Sequence, residues 1–186
     1  YLLSLHLPHD SNLFVANSMP IRDIEWFWKK KNSERHLFGN RGVNGIDGTL
    51  GTALGMAHQT STPNYLLSGE LAFLHDSNAL LFAEQLKGNL TAFVINNNGG
   101  GIFENLPIAK EPEFEKCFAT PQSFDLSSLC QAFKVEYSLI SSWTEIIDKL
   151  KNPRKMGIEI IEIRTNRKKD RLTRNQLLSL KPTKNA

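Results

Sequence analysis

The amino-acid sequence predicts a three-layer α/β domain with a doubly wound, mostly parallel six-stranded sheet and helices on both of its faces. Two observations predict this class. First, short apolar runs alternate along the chain with longer segments of helical spacing, as in domains built from β-α-β units. Second, residues 90–95 form a continuous, partly β-branched apolar run, which is typical of a central strand buried on both faces. The chain has 186 residues, and we expect a single domain over 1–186.

Each predicted strand is a short apolar run bounded by polar or glycine residues. The six runs are residues 13–15, 36–39, 64–67, 90–95, 135–137 and 157–163. Helical spacing predicts helices over residues 20–28, 46–58, 79–86, 125–133 and 143–150, and Pro20 suits the first turn of the first one. Residues 103–123 form a long connection with three prolines, and a loop of that length inside a compact domain is usually functional.

Composition excludes several classes of protein. No apolar run approaches the ~20 residues that span a bilayer, so no membrane span is predicted. The first residues have no basic region and no clear cleavage site, which favours a chain that begins within a longer protein over one with a signal peptide. Two cysteines cannot form a disulfide framework or a four-ligand zinc site, and we expect two buried thiols in a reducing cytoplasm.

The last part of the chain, about residues 164–186, is a basic tail. It carries eight Lys and Arg residues against one Asp, although the net charge of the whole chain is only +3. Such a tail could bind nucleic acid, but it lacks the interleaved aromatic residues that stack on bases. A solvated, partly frayed C-terminal helix explains the tail equally well, and we expect no nucleic-acid partner.

Polar and glycine residues follow four of the predicted strands, at residues 17–18, 39–42, 68–70 and 96–101. The carboxyl ends of parallel strands meet at one edge of a sheet, and ligands bind there in doubly wound folds. A glycine at a strand end lets the backbone approach a phosphate closely, and the following helix offers free N–H groups. The pattern therefore predicts a binding site for a phosphorylated ligand at this edge.

Glu70 and the block 96–101 also suggest a metal site. Carboxylate, amide and carbonyl oxygens are the ligands that Mg²⁺ and Ca²⁺ prefer. Taken alone, Glu70 is more often a solvated or capping carboxylate, and Asn-Asn-Asn-Gly is more often a tight turn. The P-loop and dinucleotide-binding patterns are absent from the sequence.

Several segments together resemble a known family. Ser68-Gly69-Glu70, followed 27 positions after Glu70 by Asn97 in Asn-Asn-Asn-Gly-Gly-Gly, resembles the thiamine-diphosphate motif. Residues 16–23, 39–48 and 74–80, together with 96–107, resemble the SEPHCHC synthase family of menaquinone and phylloquinone biosynthesis, and the resemblance runs over residues 11–168. It implies a thiamine-diphosphate-binding fold.

The resemblance implies an activity and a domain. The family decarboxylates 2-oxoglutarate and joins the product to isochorismate, with thiamine diphosphate and Mg²⁺ as cofactors and Mn²⁺ as an alternative metal. This chain would be the C-terminal, diphosphate-binding domain of a larger transferase and would be inactive alone. The glutamate that activates N1′ of the cofactor is expected in an N-terminal pyrimidine-binding domain of a second subunit, so no catalytic residue is expected in this chain. The resemblance also implies a homodimer or homotetramer in the cytoplasm of a bacterium, or in a plastid if the source is a plant.

The resemblance also implies site residues, by position. The metal ligands would be Glu70, the Asn97 side chain and the Gly99 carbonyl, while Gly69 and Leu71 would approach the phosphates. Ile46 matches the hydrophobic wedge that holds the cofactor bent, and the thiazolium and substrate side would be lined by Ile102, Phe103 and Leu106. The substrate carboxylates would be bound by Ser18, Arg22 and Arg41. Arginine suits this role because it binds carboxylates bidentately and stays charged when partly buried.

One departure and two alternatives remain open at this stage. The family's usual aspartate is Glu70 here, one methylene longer, which changes the fit to the metal. Another decarboxylase or carboligase of the acetolactate synthase type is the enzyme alternative. Arg22 and Arg41 disfavour it because a small uncharged acceptor needs no arginines, although each arginine alone is more often part of a surface ion pair. A non-catalytic binding or assembly module, with metal binding weakened by Glu70, is the other alternative.

Overall fold

The centre of the molecule is a six-stranded sheet in which every neighbouring pair of strands is parallel. The computed structural model describes residues 1–29 and 35–180. The strands are β1 Asn12–Val15, β2 His36–Phe38, β3 Asn64–Gly69, β4 Asn89–Asn96, β5 Glu136–Ile140 and β6 Gly157–Arg164. Their order across the sheet is β2-β1-β3-β4-β6-β5. The six predicted strands and the fold class are confirmed.

Seven α-helices lie in the described residues: α1 Leu2–His6, α2 Met19–Phe27, α3 Thr49–Ala57, α4 Glu70–His75, α5 Leu126–Ala132, α6 Trp143–Lys151 and α7 Arg167–Ser179. Pro20 occupies the first turn of α2, as the sequence predicts. The sequence gives no signal for α1. The predicted helix over 79–86 is instead a 3₁₀ segment, Ser77–Gln85, whose tight turns bury Ala79 and Leu80.

Two apolar clusters cover the two faces of the sheet, which confirms the three-layer arrangement. On one face, α3 and α5 pack on the sheet through residues such as Leu50 and Leu126. On the other face, α1, α2 and α6 contribute, with Leu150 of α6 fully buried there. The sheet is thus buried on both sides, as expected for an all-parallel sheet.

The connection over 103–123 is a series of short turns rather than a regular element. It contains the 3₁₀ segment Pro107–Lys110 and the π-helical segment Glu115–Ala119. Phe118 holds these turns together, because its ring stacks on Phe114 at a centroid distance of 6.3 Å and meets Phe103 edge-on at 5.9 Å.

Two sequence expectations need correction. Only Cys130 is buried; Cys117 is exposed because it lies on the outer side of the Glu115–Ala119 turn, away from the sheet. The basic tail is not simply solvated, because α7 turns Arg167, Arg171 and Arg174 inward at the i, i+4, i+7 spacing of one helix face. Residues 181–186 of that tail lie outside the described residues.

No helix among the described residues has both the length and the apolar character needed to cross a bilayer.

Candidate functional site

A cavity of about 1010 Å³ lies at the carboxyl ends of the strands. The strand register brings these ends together, since Val15 of β1 pairs with Leu67 of β3, and Gly69 of β3 pairs with Ile95 of β4. The cavity is therefore at the edge of the sheet where the sequence predicts ligand binding.

Eleven of the twelve predicted site residues line this cavity. They are Ser18, Arg22, Arg41, Ile46, Gly69, Glu70, Leu71, Asn97, Gly99, Ile102 and Phe103. Leu106 does not line it, and its side chain is 48% exposed. The structure thus brings together residues from four separate segments of the chain and leaves Leu106 outside.

Glu70 is the first residue of α4, directly after β3, and it is only 2% exposed. Its Oε1 accepts a hydrogen bond of 2.5 Å from the backbone N–H of Gly99. Burial raises the pKa of Glu70 above its usual value, while the backbone N–H groups of Gly99 and Asn97 and the charge of Arg167 partly offset that rise. A buried carboxylate with so little compensating charge is suited to a bound cation.

The Asn97 side chain has a buried oxygen that is suited to a cation. Its Oδ1 is buried, and within the described residues it has no hydrogen-bond partner. A buried polar atom is nearly always hydrogen-bonded, and one left unpaired costs about 1–3 kcal/mol. An amide oxygen of this kind, in the same cavity as the Glu70 carboxylate, fits a hard divalent cation.

The Gly99 carbonyl accepts one hydrogen bond of 2.9 Å, from the N–H of Gly101, which leaves its second lone pair for a ligand. Gly99 has φ of +133°, and a Cβ at this position would lie 2.5 Å from the Ala119 carbonyl oxygen. Only glycine fits this turn. No group of three or more His, Cys, Asp or Glu side chains lies together in the part of the chain that is described, so a metal here needs these amide and carbonyl oxygens.

Gly69 forms the floor of the cavity beside Glu70. A Cβ built on Gly69 would meet no atom within 4 Å, so the space beside its backbone is open. A phosphate group can approach the backbone at this point, as the sequence predicts for Gly69.

Asn17 holds part of the cavity wall in place, and it is the first residue whose role sequence reasoning missed, although the strand-end pattern includes it in residues 17–18. It is 4% exposed, its Nδ2 donates to the Gly45 carbonyl at 2.7 Å, and its Oδ1 accepts from Arg41 at 2.6 Å. Asn17 therefore fixes both the segment that carries Ile46 and the guanidinium of Arg41. Its place directly after β1 is the signal that could have identified it.

Arg22 and Arg41 have no carboxylate partner in the part of the chain that the structure describes. Arg22 donates to the Ser18 carbonyl at 2.7 Å and Arg41 to Asn17, and among the described residues neither lies within 4.0 Å of a carboxylate oxygen. Arg174 also lines the cavity, but Asp23 pairs with it bidentately at 2.6 and 2.8 Å. Two of the three arginines thus remain available for an anionic ligand.

Arg167 is the second residue that sequence reasoning missed. It is 8% exposed and follows the end of β6, where the same strand-end argument applies. The basic composition around it predicted a solvated face instead, and only the folded chain shows that its partners are Glu104 and Glu115.

The fold and this cavity are typical of one class of protein: parallel α/β domains that bind a phosphorylated cofactor at the carboxyl edge of the sheet. Residues 24–163, more than half of the chain, match the family described as thiamine pyrophosphate enzyme, C-terminal TPP binding domain. The chain belongs to this family.

Curated relatives extend the match over nearly the whole chain. A 2-succinyl-5-enolpyruvyl-6-hydroxy-3-cyclohexene-1-carboxylate synthase from Trichormus variabilis is 51% identical over 180 residues, which are 96% of this chain and 31% of the relative. The synthase of the same name from Nostoc sp. is 50% identical over 180 residues, with the same coverage. The chain therefore spans about a third of the length of these relatives.

Among solved structures, a protein from Mycobacterium smegmatis described as a thiamin diphosphate-dependent enzyme has a similar fold. The TM-score is 0.65 at 18% identity, and the similarity covers 89% of this chain and 30% of the other. At this level of identity the match concerns the fold alone.

Proposed function

We propose that this chain, residues 1–186, is the C-terminal, diphosphate-binding domain of a transferase that decarboxylates 2-oxoglutarate and joins the product to isochorismate. The product is 2-succinyl-5-enolpyruvyl-6-hydroxy-3-cyclohexene-1-carboxylate, a precursor of menaquinone or phylloquinone. The observation that carries the proposal is the presence, in one cavity, of buried oxygen ligands and of two arginines without carboxylate partners. Relatives that carry the name of this synthase are about half identical to the chain.

In this proposal Glu70, Asn97 and Gly99 hold Mg²⁺, or Mn²⁺ in its place, through a carboxylate, an amide and a carbonyl oxygen. The unpartnered Asn97 Oδ1 supports this assignment. The backbone at Gly69 and Leu71 contacts the diphosphate, and Ile46 is the apolar support of the cofactor. When bound, thiamine diphosphate supplies the electron sink for decarboxylation.

The substrates lie on the other side of the cavity. Both substrates carry two carboxylates, and Arg22 and Arg41 bind carboxylate groups there, with Ser18 beside them. Ile102 and Phe103 line the apolar part of the cleft and exclude water from the reacting carbons. Leu106, outside this cavity, contacts substrate only if the Pro107–Lys110 turn moves with it.

The remaining parts of the enzyme lie beyond this chain, which matches about a third of its relatives' length. We assign no catalytic residue here, and we place the N1′-activating glutamate in a pyrimidine-binding domain of a second subunit. The working enzyme is then a homodimer or homotetramer in the cytoplasm of a bacterium or in a plastid. Residues 1–186 alone should release no CO₂ from 2-oxoglutarate.

The test is a product assay on the full-length enzyme with thiamine diphosphate and Mg²⁺. The expected result is a product that contains both carbon skeletons, detected by mass spectrometry only when 2-oxoglutarate and isochorismate are both present. Pyruvate in place of 2-oxoglutarate is the matched control for the acetolactate synthase alternative. Preference for pyruvate, or no consumption of either oxoacid, would contradict the proposal.

A further inference from the structure

Arg167 joins three segments around the turn after β4. Its Nε donates to Glu104 at 2.8 Å, its NH1 donates to the Asn98 carbonyl at 2.5 Å, and its NH2 pairs with Glu115. Arg167 and Glu104 are both nearly fully buried, with side chains 9% and 5% exposed. We call Arg167, Asn98, Glu104 and Glu115 the Arg167 cluster.

The Asn98 contact concerns the proposed metal site directly, because Asn98 lies between Asn97 and Gly99. Asn98 has φ of +59° and Gly99 has φ of +133°, so two successive residues adopt left-handed backbone conformations. Such conformations cost free energy in a non-glycine residue and persist where the surroundings hold them. The turn therefore needs external support to keep its shape.

Both backbone polar groups of Asn98 receive that support. Its carbonyl accepts from Arg167, and its N–H donates to Asn96 Oδ1 at 3.2 Å. Asn96 is in turn anchored by Glu162 of β6, to which its Nδ2 donates at 2.7 Å. The turn with the proposed metal ligands is thus held on two sides by the segment that runs from β6 into α7.

The contacts of the Arg167 cluster indicate that Arg167 supports the turn and does not bind the cofactor. Two carboxylates, Glu104 and Glu115, share the single guanidinium, and Lys168 adds an exposed contact to Glu115 at 2.9 Å. Each of the three guanidinium nitrogens of Arg167 already donates to a protein acceptor. Arg167 is also not one of the described residues that line the cavity, so we do not expect it to contact the diphosphate itself. A lysine could not reach three segments with one ammonium group.

We propose that Arg167 is a positioning residue that holds the Asn97–Gly99 turn in the shape that presents the Asn97 amide oxygen and the Gly99 carbonyl to the cation. This inference rests on the proposed function, because it assumes that the turn binds a metal. Arg167 is the first residue of α7 and lies within the basic tail. In this role it would affect cofactor binding without touching the cofactor.

The experiment measures the Mg²⁺ concentration that half-saturates thiamine-diphosphate binding to the full-length enzyme, by calorimetry. Partners that support metal ligands typically change metal affinity by about 10- to 100-fold when removed, and Arg167→Met should raise the Mg²⁺ requirement by about that factor. Arg167→Lys should give an intermediate increase. Lys168→Met is the matched control: it removes a cation from the same helix and the same partner, Glu115, and should change the requirement less than about twofold.

A second readout needs no cofactor. In the metal-free enzyme, amide hydrogen exchange of a peptide that spans residues 97–101 should be faster in Arg167→Met than in Lys168→Met. At saturating Mg²⁺ and cofactor, the KM of Arg167→Met for each substrate should stay near that of the unmodified enzyme. A general loss of structure would instead raise the KM.

The outcomes separate the two proposals. If the unmodified enzyme itself shows no Mg²⁺-dependent cofactor binding, the proposed function fails. If it does, and Arg167→Met matches Lys168→Met in both readouts, the positioning role alone is wrong. If Arg167→Met does not fold, as judged by circular dichroism, Arg167→Lys decides the question, and an unchanged Mg²⁺ requirement in that variant overturns the role.

Discussion

The backbone N–H of Gly99 donates a 2.5 Å hydrogen bond to Oε1 of Glu70, 29 positions earlier in the chain. This bond joins the start of α4 to the turn after β4, the two segments that supply the proposed metal ligands. The Glu70 side chain makes this contact while it is almost fully buried. The bond therefore holds two of the three proposed metal ligands together in the metal-free protein, and the third, Asn97 Oδ1, has no hydrogen-bond partner within the described residues.

Glu70→Gln should stabilise the metal-free protein at neutral and alkaline pH. Burial raises the folded-state pKa of Glu70 above its ordinary value of 4.5, so the ionised carboxylate destabilises the fold. That destabilisation is complete above the folded-state pKa and disappears as the pH falls below the unfolded-state value. The glutamine oxygen can still accept the Gly99 N–H. The thermal midpoint of Glu70→Gln should therefore exceed that of the unmodified protein at pH 8, and the difference should shrink toward pH 4.5.

The control for this pH dependence is Glu84→Gln. Glu84 is a surface residue, and its carboxylate lies 4.0 Å from the ammonium group of Lys134 in an exposed pair. Its thermal midpoint should follow that of the unmodified protein at every pH. If the thermal midpoints of Glu70→Gln and Glu84→Gln depended on pH in the same way, burial of the ionised Glu70 carboxylate would not destabilise the fold.

The same Glu70 substitution should have the opposite effect once cofactor is present. A neutral amide loses the charge that faces the cation, so Mg²⁺ and thiamine diphosphate should stabilise the unmodified enzyme but stabilise Glu70→Gln much less. Glu70→Asp should retain the effect because it restores the family's usual residue. The measurement is the rise in thermal midpoint on adding thiamine diphosphate, with and without Mg²⁺. If this rise were the same in Glu70→Gln as in the unmodified enzyme, Glu70 would not be a metal ligand and would only be an acidic residue at the start of a helix.

Arg22→Ala and Arg41→Ala should weaken substrate binding without weakening cofactor binding. A carboxylate that loses its guanidinium partner loses charge-assisted hydrogen bonds of about 1.5–3 kcal/mol. The apparent KM for 2-oxoglutarate or isochorismate should therefore rise by about 10- to 150-fold in steady-state kinetics. Lysine at either position should rescue only part of the loss, since a point charge cannot form the two parallel bonds of the arginine fork.

Arg154→Ala is the matched control, because Arg154 pairs with Glu136 and precedes β6, at the opposite edge of the sheet from the cavity. It should leave both KM values near those of the unmodified enzyme. Parallel losses of cofactor and substrate affinity in the Arg22 or Arg41 variants would make these arginines structural supports of the cleft, and the substrate assignment would fail.

The two cysteines should differ sharply toward alkylating reagents in the folded chain. Burial raises the pKa of the Cys130 thiol to about 11, so very little reactive thiolate is present at pH 8, and the sulfur is shielded from solvent. Cys117 is exposed and should react first with iodoacetamide. Peptide mass spectrometry should find Cys130 labelled only after denaturation in urea; labelling of both at one rate in the native protein would contradict the described packing of α5.

Breaking the Glu104–Arg167 pair should be costly for stability. Removing one partner of a buried ion pair leaves an uncompensated charge, which costs about 3–5 kcal/mol. Arg167→Met should lower the urea midpoint accordingly, and adding Glu104→Leu should recover part of the loss. Lys134→Met, which breaks only the exposed pair with Glu84, should hardly move the midpoint. If Arg167→Met lowered the urea midpoint as little as Lys134→Met does, the Arg167 cluster would be hydrated in solution rather than buried.

Hydrophobic periodicity was sufficient to predict all six strands, because each strand of a parallel sheet is a short apolar run with polar ends. It was insufficient for the Ser77–Gln85 segment, whose 3₁₀ turns depend on contacts with α3 that no local pattern encodes. The strand-end argument placed Glu70, Asn97 and Arg41 at one edge, whereas Arg22 was predicted only from the family resemblance. The strand-end argument missed Arg167, since a basic stretch looks the same in sequence whether its arginines face water or buried glutamates.

We propose that Glu70, Asn97 and Gly99 hold the divalent cation through which thiamine diphosphate binds. The most direct test is a calorimetric titration of the full-length enzyme with thiamine diphosphate, with and without Mg²⁺, for the unmodified protein and for Asn97→Leu, which removes the unpartnered Oδ1. We expect cofactor binding that requires Mg²⁺ in the unmodified enzyme and is largely lost in Asn97→Leu. Equal cofactor affinity without Mg²⁺, or an Asn97→Leu variant that binds as tightly as the unmodified enzyme, would contradict it.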